Sequence, residues 1–78
     1  MKLKILGTGC AKCKQLLANV EQAVSELGIS AEIEKVEELK EIVKYRVLAT
    51  PALVMDEQVK AAGRLLSPDD IKTLLQGR

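Results

Sequence analysis

The 78-residue chain carries twelve Lys and Arg against eleven Asp and Glu, a formal net charge of +1, and 47% of it is hydrophobic. A chain of this size buries only about 60% of its unfolded surface, but its Leu, Ile, Val and Ala content suffices for one small core and excludes a disordered chain. No run of one charge sign offers a nucleic-acid footprint, and Tyr45, the sole aromatic, leaves no base-stacking platform. No histidine is present, which excludes His-based catalysis and His-ligated metals. The N-terminus turns polar at Gly7, too early for the apolar core of a signal peptide, and no apolar stretch approaches the ~20 residues of a membrane span. The expectation is a single domain over residues 1–78 in the cytoplasm, with neither nucleic-acid nor membrane partners.

Residues 2–6 are short and largely apolar and predict a strand, ended by Gly7-Thr8-Gly9. From Cys10 the period changes. Cys13, Leu16, Leu17, Val20, Val24 and Leu27 recur at helical spacing, and Gly28 is placed to stop that helix. Residues 31–36 alternate as a strand, with Ala31, Ile33 and Lys35 on one face. Residues 37–45 read as a second helix. Leu39, Ile42 and Val43 share its inner face, while Glu37/Lys40 and Glu41/Lys44 pair at i,i+3.

Residues 47–49 connect to Thr50-Pro51 and the apolar strand 52–55. Asp56-Glu57 then turns the chain into residues 59–62 as a hairpin, followed by Gly63. Ser67-Pro68-Asp69-Asp70 has the composition of a helix start: a capping serine, proline at the first helical position and acids in the first turn. Leu66 and Ile71 form its hydrophobic staple. Ile71, Leu74 and Leu75 give the last helix its buried face, closed by Gly77. The order is β-α-β-α-β-β-α, an α/β fold with a four-stranded mixed sheet flanked by three helices.

Cys10 and Cys13 stand one helical turn apart at a helix start. A disulfide there closes almost no loop, so it is a poor stabilising staple. A thiol at that place instead faces unpaired backbone N–H groups and the positive end of the helix dipole, which favour thiolate. Lys12 and Lys14 add positive charge, and Lys12 in particular is expected to tune the thiolate. Position assigns the roles. Cys10, at the outer edge of the first turn, is the expected nucleophile; Cys13, in the apolar stripe, is the expected resolving thiol. Gly7 and Gly9 free the turn and leave the sulfur uncovered. Soft-metal binding and two ordinary first-turn residues stand as alternatives. Thr50-Pro51 admits two readings as well: a plain strand start, or a cis peptide bond turning the Thr50 backbone outward beside the dithiol.

With these two features placed, the chain resembles the thioredoxin-like superfamily, and within it the small redox-active disulfide proteins of bacteria and archaea that lack the extra N-terminal strand and helix of full thioredoxins. The resemblance runs over essentially the whole chain. It rests on the strand into Gly7-Thr8-Gly9-Cys10-Ala11-Lys12-Cys13, on Tyr45-Arg46-Val47-Leu48-Ala49-Thr50-Pro51-Ala52-Leu53-Val54, and on Gly63 after the last strand.

It implies a minimal thioredoxin fold and a thiol–disulfide oxidoreductase with nucleophilic Cys10, resolving Cys13 and a cis-Pro51 against the disulfide. Substrate contacts would fall at Thr50, Pro51, Gly9 and Gly63, with Thr50 pairing its backbone with substrate. No cofactor or metal is implied beyond the redox-active Cys10–Cys13 disulfide. The implied partners are a disulfide-containing protein or a small thiol, and an upstream reductase.

Departures from the family pattern are specific. The dithiol is Cys-Ala-Lys-Cys, without the preceding Trp or the internal Gly-Pro of typical thioredoxins and without the tyrosine of glutaredoxins. Arg64 stands where a glutaredoxin glutathione site has its second glycine, so the resemblance does not extend to glutathione. By ungapped count the resemblance would put the buried acid of thioredoxins near Lys4, read here as a solvated strand residue.

Two competing functions remain from the sequence. Heavy-metal-associated domains share the strand, Cys-x-x-Cys loop and helix, and would use the same cysteines for Cu or Zn. They run β-α-β-β-α-β, however, and carry Met or an equivalent where Thr8 stands. A non-catalytic interaction module of the same fold is the other. Arg64 reads as a solvated surface residue, Tyr45 as packing and Met55 as core.

Overall fold

A computed structural model describes residues 1–77. The elements follow as β1 (Lys2–Leu6), α1 (Ala11–Leu27), β2 (Glu32–Val36), α2 (Leu39–Val43), β3 (Ala52–Met55), β4 (Gln58–Ala62) and α3 (Pro68–Leu75). The strands form one sheet in the order β2-β1-β3-β4. β1 lies parallel to β2, with Leu6 opposite Val36. It runs antiparallel to β3, with Leu6 opposite Ala52. β3 and β4 form the hairpin, with a register shift between Leu53 and Val54.

The period-2 alternation of the two central strands builds two cores on opposite faces of the sheet. Leu3, Ile5, Leu53 and Met55 face α1 and α3, packing against Leu16, Val20, Ala23 and Ile71. Leu6, Ala52 and Val54 face α2 and pack against Ile42. All four residues of β3 are buried, because the strand is covered on both faces. At about 1.5–3 kcal/mol for each fully buried large aliphatic side chain, the sandwiched central strands hold the fold together.

The helix ends follow their local chemistry. Gly28 stops α1 at φ 64°, and its N–H together with that of Ile29 returns to carbonyls of the last turn. α3 opens on a reciprocal capping box: Ser67 Oγ accepts from the Asp70 N–H at 3.1 Å, and Asp70 Oδ2 accepts from the Ser67 N–H at 3.3 Å. Leu66 and Ile71, the two staple residues, are both buried in the first core.

Several expectations need correction. The second helix is shorter than 37–45, and Ile42 alone of its apolar residues is buried. Leu39 and Val43, four residues apart and so on one side of the helix, are 66% and 63% exposed. With so few residues the helix turns only one position fully onto the sheet. Glu37 precedes it and pairs with Lys35 at 3.7 Å rather than with Lys40. Lys35 is exposed, since β2 is an edge strand with one lightly covered face.

Lys4 is not a solvated strand residue: its side chain is only 16% exposed and its Nζ lies 2.8 Å from Glu57 Oε1. Nζ also donates to Tyr45 Oη at 2.6 Å, and Tyr45 Oη donates to Glu57 Oε2 at 3.1 Å. These hydrogen bonds and the facing carboxylate hold Lys4 above the ordinary lysine range and Glu57 below the ordinary carboxylate range. The triad ties the end of α2 to the β3–β4 turn across β1.

Candidate functional site

The C-terminal end of β1 delivers the chain to Gly7. The Gly7 N–H donates to Val36 O at 3.0 Å, so the end of β2 travels with it. Cys10 is the N-cap of α1, with extended backbone at φ −68° and ψ 165°. Its sulfur accepts from the Cys13 N–H at 3.1 Å, and its carbonyl accepts the first helical bond from Lys14 at 3.0 Å. The two cysteines are joined as a disulfide, with Cα atoms 5.0 Å apart. Cys10 is exposed, whereas Cys13 is only 5% exposed within the stripe that continues to Leu16, Val20 and Ala23.

The first turn of α1 holds no acidic residue. The unpaired N–H groups and the dipole are therefore not offset by a carboxylate on their own helix. Lys12 is exposed one position before Cys13.

Gly7 is needed for space. A Cβ there would fall on the Cys13 sulfur, while lying 4.0 Å from Thr50 Cβ. Cys13 and Thr50 thus converge on one bare backbone position. The Thr50–Pro51 peptide bond is cis. Pro51 is fully buried and Thr50 exposed. Among the described residues, no turn or loop hydrogen bond engages the Thr50 backbone. The Gly63 N–H donates to Pro51 O at 2.9 Å. Gly63 sits at φ 71°, and a Cβ there would press on Ala49 Cβ at 2.8 Å, so the segment before the proline rests directly on the end of β4.

The comparisons with known proteins agree with this geometry. Residues 1–76 match the thioredoxin domain family. The chain belongs to it. A thioredoxin of Methanothermobacter thermautotrophicus is 45% identical over 75 residues, covering 96% of this chain and 97% of its own. A thioredoxin of Methanocaldococcus jannaschii is 43% identical over 74 residues, covering 95% and 85%. Within the thioredoxin family the paired cysteines at the helix start have a defined chemistry, and this protein is a thiol–disulfide oxidoreductase. The heavy-metal-domain alternative fails on topology, since α2 follows β2 where that fold continues directly into a further strand.

The fold brings Cys13 and Thr50 together at Gly7, with Cys10 joined to Cys13 and Gly63 hydrogen-bonded to Pro51. Gly9 lies at φ 85°, a conformation that favours glycine. Arg64 is exposed, and Met55 lies in the core. One site neighbour escaped the sequence reading. The point a Gly9 Cβ would occupy is 3.4 Å from Glu37 Oε2. The signal for it was the parallel β-α-β unit, which sets the residues after β2 beside those after β1.

Proposed function

We propose that Cys10 attacks disulfides of protein or small-molecule partners and that Cys13 resolves the product. The Cys10 thiolate displaces one substrate sulfur as a thiolate and forms a mixed disulfide with the other. The Cys13 thiolate then attacks Cys10 Sγ, releases the second substrate thiolate and leaves the Cys10–Cys13 disulfide. Two electrons pass to the substrate sulfurs, which take up two protons as they become thiols. A separate reductase returns the couple to the dithiol. Lys12 adds to the positive field that favours thiolate at Cys10. Thr50 offers its backbone to an extended substrate segment, with Pro51, Gly9 and Gly63 shaping the rim. On this reading residues 1–78 act as one domain in the reducing cytoplasm, and the dithiol works without cofactor or metal.

The observation that carries the reading is the inequality of the two sulfurs: Cys10 exposed at the helix cap, Cys13 buried behind it. The test is single-turnover reduction of a protein disulfide, with trapped species resolved by mass. Cys10→Ser abolishes reduction, whereas Cys13→Ser accumulates a covalent adduct through Cys10. Retained reduction in Cys10→Ser, or a wild type that never cycles between dithiol and disulfide, would overturn it.

A further inference from the structure

The resolving step of the exchange proposed above, on which this inference rests, requires a proton acceptor. Cys13 must lose its proton before it can attack Cys10 Sγ, and a buried thiol gives up its proton reluctantly. Lys4, the largely buried cation of β1, is engaged with Glu57 and Tyr45 and is no base. Beside Cys13, however, lies a cleft of about 80 Å³ between α1 and the end of β2, which Gly7, Gly9, Lys35 and Glu37 also line. With a water's share of liquid volume at about 30 Å³, it has room for about two. The Cys13 sulfur packs against the bare Gly7 beside it, and the Glu37 carboxylate stands over Gly9 at the rim of the cleft.

We infer that Glu37 is the proton acceptor for Cys13, acting through water in this shared cleft. In the mixed disulfide the Cys13 S–H proton passes through water to the Glu37 carboxylate. The Cys13 thiolate forms its bond to Cys10 Sγ as the Cys10–substrate S–S bond breaks. The departing substrate thiolate takes a proton from solvent, and Glu37 returns its own to water. Lys35, 3.7 Å from Glu37 Oε1, holds the carboxylate at the rim as a positioning residue. Lys14 of α1 is the other cation on the cleft. On its far side Glu37 borders a groove with Lys4, Glu34, Glu38, Glu41 and Tyr45.

The sign of one measurement separates this role from a plain surface charge. A carboxylate near Cys13 that took no proton would only oppose a negative sulfur, so its removal would leave resolution unchanged or faster. A proton acceptor removed does the opposite. General bases contribute about 10²–10⁴-fold, and one working through water is expected at the low end. Glu37 is exposed and outside any helix, so its replacement leaves the fold intact.

The test compares wild type and Glu37→Gln in single-turnover reduction of a protein disulfide across a range of pH, following mixed disulfide and released thiol separately. At neutral pH Glu37→Gln is expected to resolve its mixed disulfide at least about tenfold more slowly, with the deficit closing as pH rises. Alkylation of Cys10 should proceed at the wild-type rate, and Glu37→Asp should recover part of the loss. An unchanged or faster resolution step in Glu37→Gln, with an unaltered pH profile, overturns this inference and leaves the dithiol reading standing. A wild type that forms no mixed disulfide through Cys10 overturns both.

Discussion

Two helices of this protein begin in the same way, and their beginnings serve opposite ends. α3 opens on Ser67, whose hydroxyl caps the Asp70 N–H, with Pro68, Asp69 and Asp70 completing the first turn. Every local feature there neutralises the helix terminus. α1 also opens on a side chain that caps the third N–H, but the cap is the Cys10 sulfur, a weak acceptor, and no acid follows it. Its positive end stays available to a thiolate. The comparison teaches that the same terminus gives stability when it is neutralised and reactivity when it is left open.

The contrast breaks most severely at the space around the α1 terminus. Gly7→Ala would drive a methyl group into the Cys13 sulfur. Overpacking of this kind costs about 1–3 kcal/mol, and thermal melts of both redox states should show it along with slowed disulfide closure. A fully tolerated alanine would mean that the terminus has slack it is not expected to have. At the other helix, Ser67→Ala should cost about 1 kcal/mol by denaturant titration and leave the exchange rate untouched. A change in exchange rate would mean that the two termini communicate.

Giving α1 the acid that α3 has sharpens the comparison further. Lys12→Glu is expected to stabilise the helix by about 0.3–1 kcal/mol while slowing Cys10 alkylation several-fold near neutral pH. Stability and thiol reactivity should move in opposite directions in one variant, measured by melting and by alkylation kinetics.

The smallest effect concerns the ion pair that joins the two helices. Glu26 of α1 contacts Lys72 of α3. Its carboxyl is lowered first by the Lys72 hydrogen bond and then by that of Gln22, while Lys72 is raised by Glu26. A lowered carboxyl adds stability above its unfolded pKa and loses it as pH falls through the folded one. Lys72 has the reverse sign: its contribution is complete below the unfolded lysine pKa and fades only in strong alkali. Lys72→Met should therefore flatten a slight acid-side loss of stability seen in denaturant midpoints below the ordinary carboxylate range.

Much of this was legible from short-range pattern. The strand and helix order, the Ser67 capping box and the Gly28 stop are written within a few residues of where they act, and the backbone obeys them. So was the unequal setting of Cys10 and Cys13, which follows from helical phase. Longer-range features were not. Lys4 looked solvated because Tyr45, 41 residues away, and Glu57 reach it only once β3 has paired with β1. α2 looked longer and more buried because the periodicity of Leu39, Ile42 and Val43 is helical, while the chain turns off at Arg46 with φ 57°. Glu37 looked like a helix-face charge because its neighbour Gly9 is set by parallel pairing and not by sequence distance.

The Lys4–Tyr45–Glu57 triad has an optical consequence. Tyr45 is the only aromatic side chain, and its hydroxyl is held between an ammonium and a carboxylate that also fix the hairpin turn. The intrinsic fluorescence of the whole protein is therefore a report on one junction, where α2 meets the β3–β4 turn. Melting of that junction will be visible in tyrosine emission, and the oxidation state of the dithiol is better followed through its sulfurs.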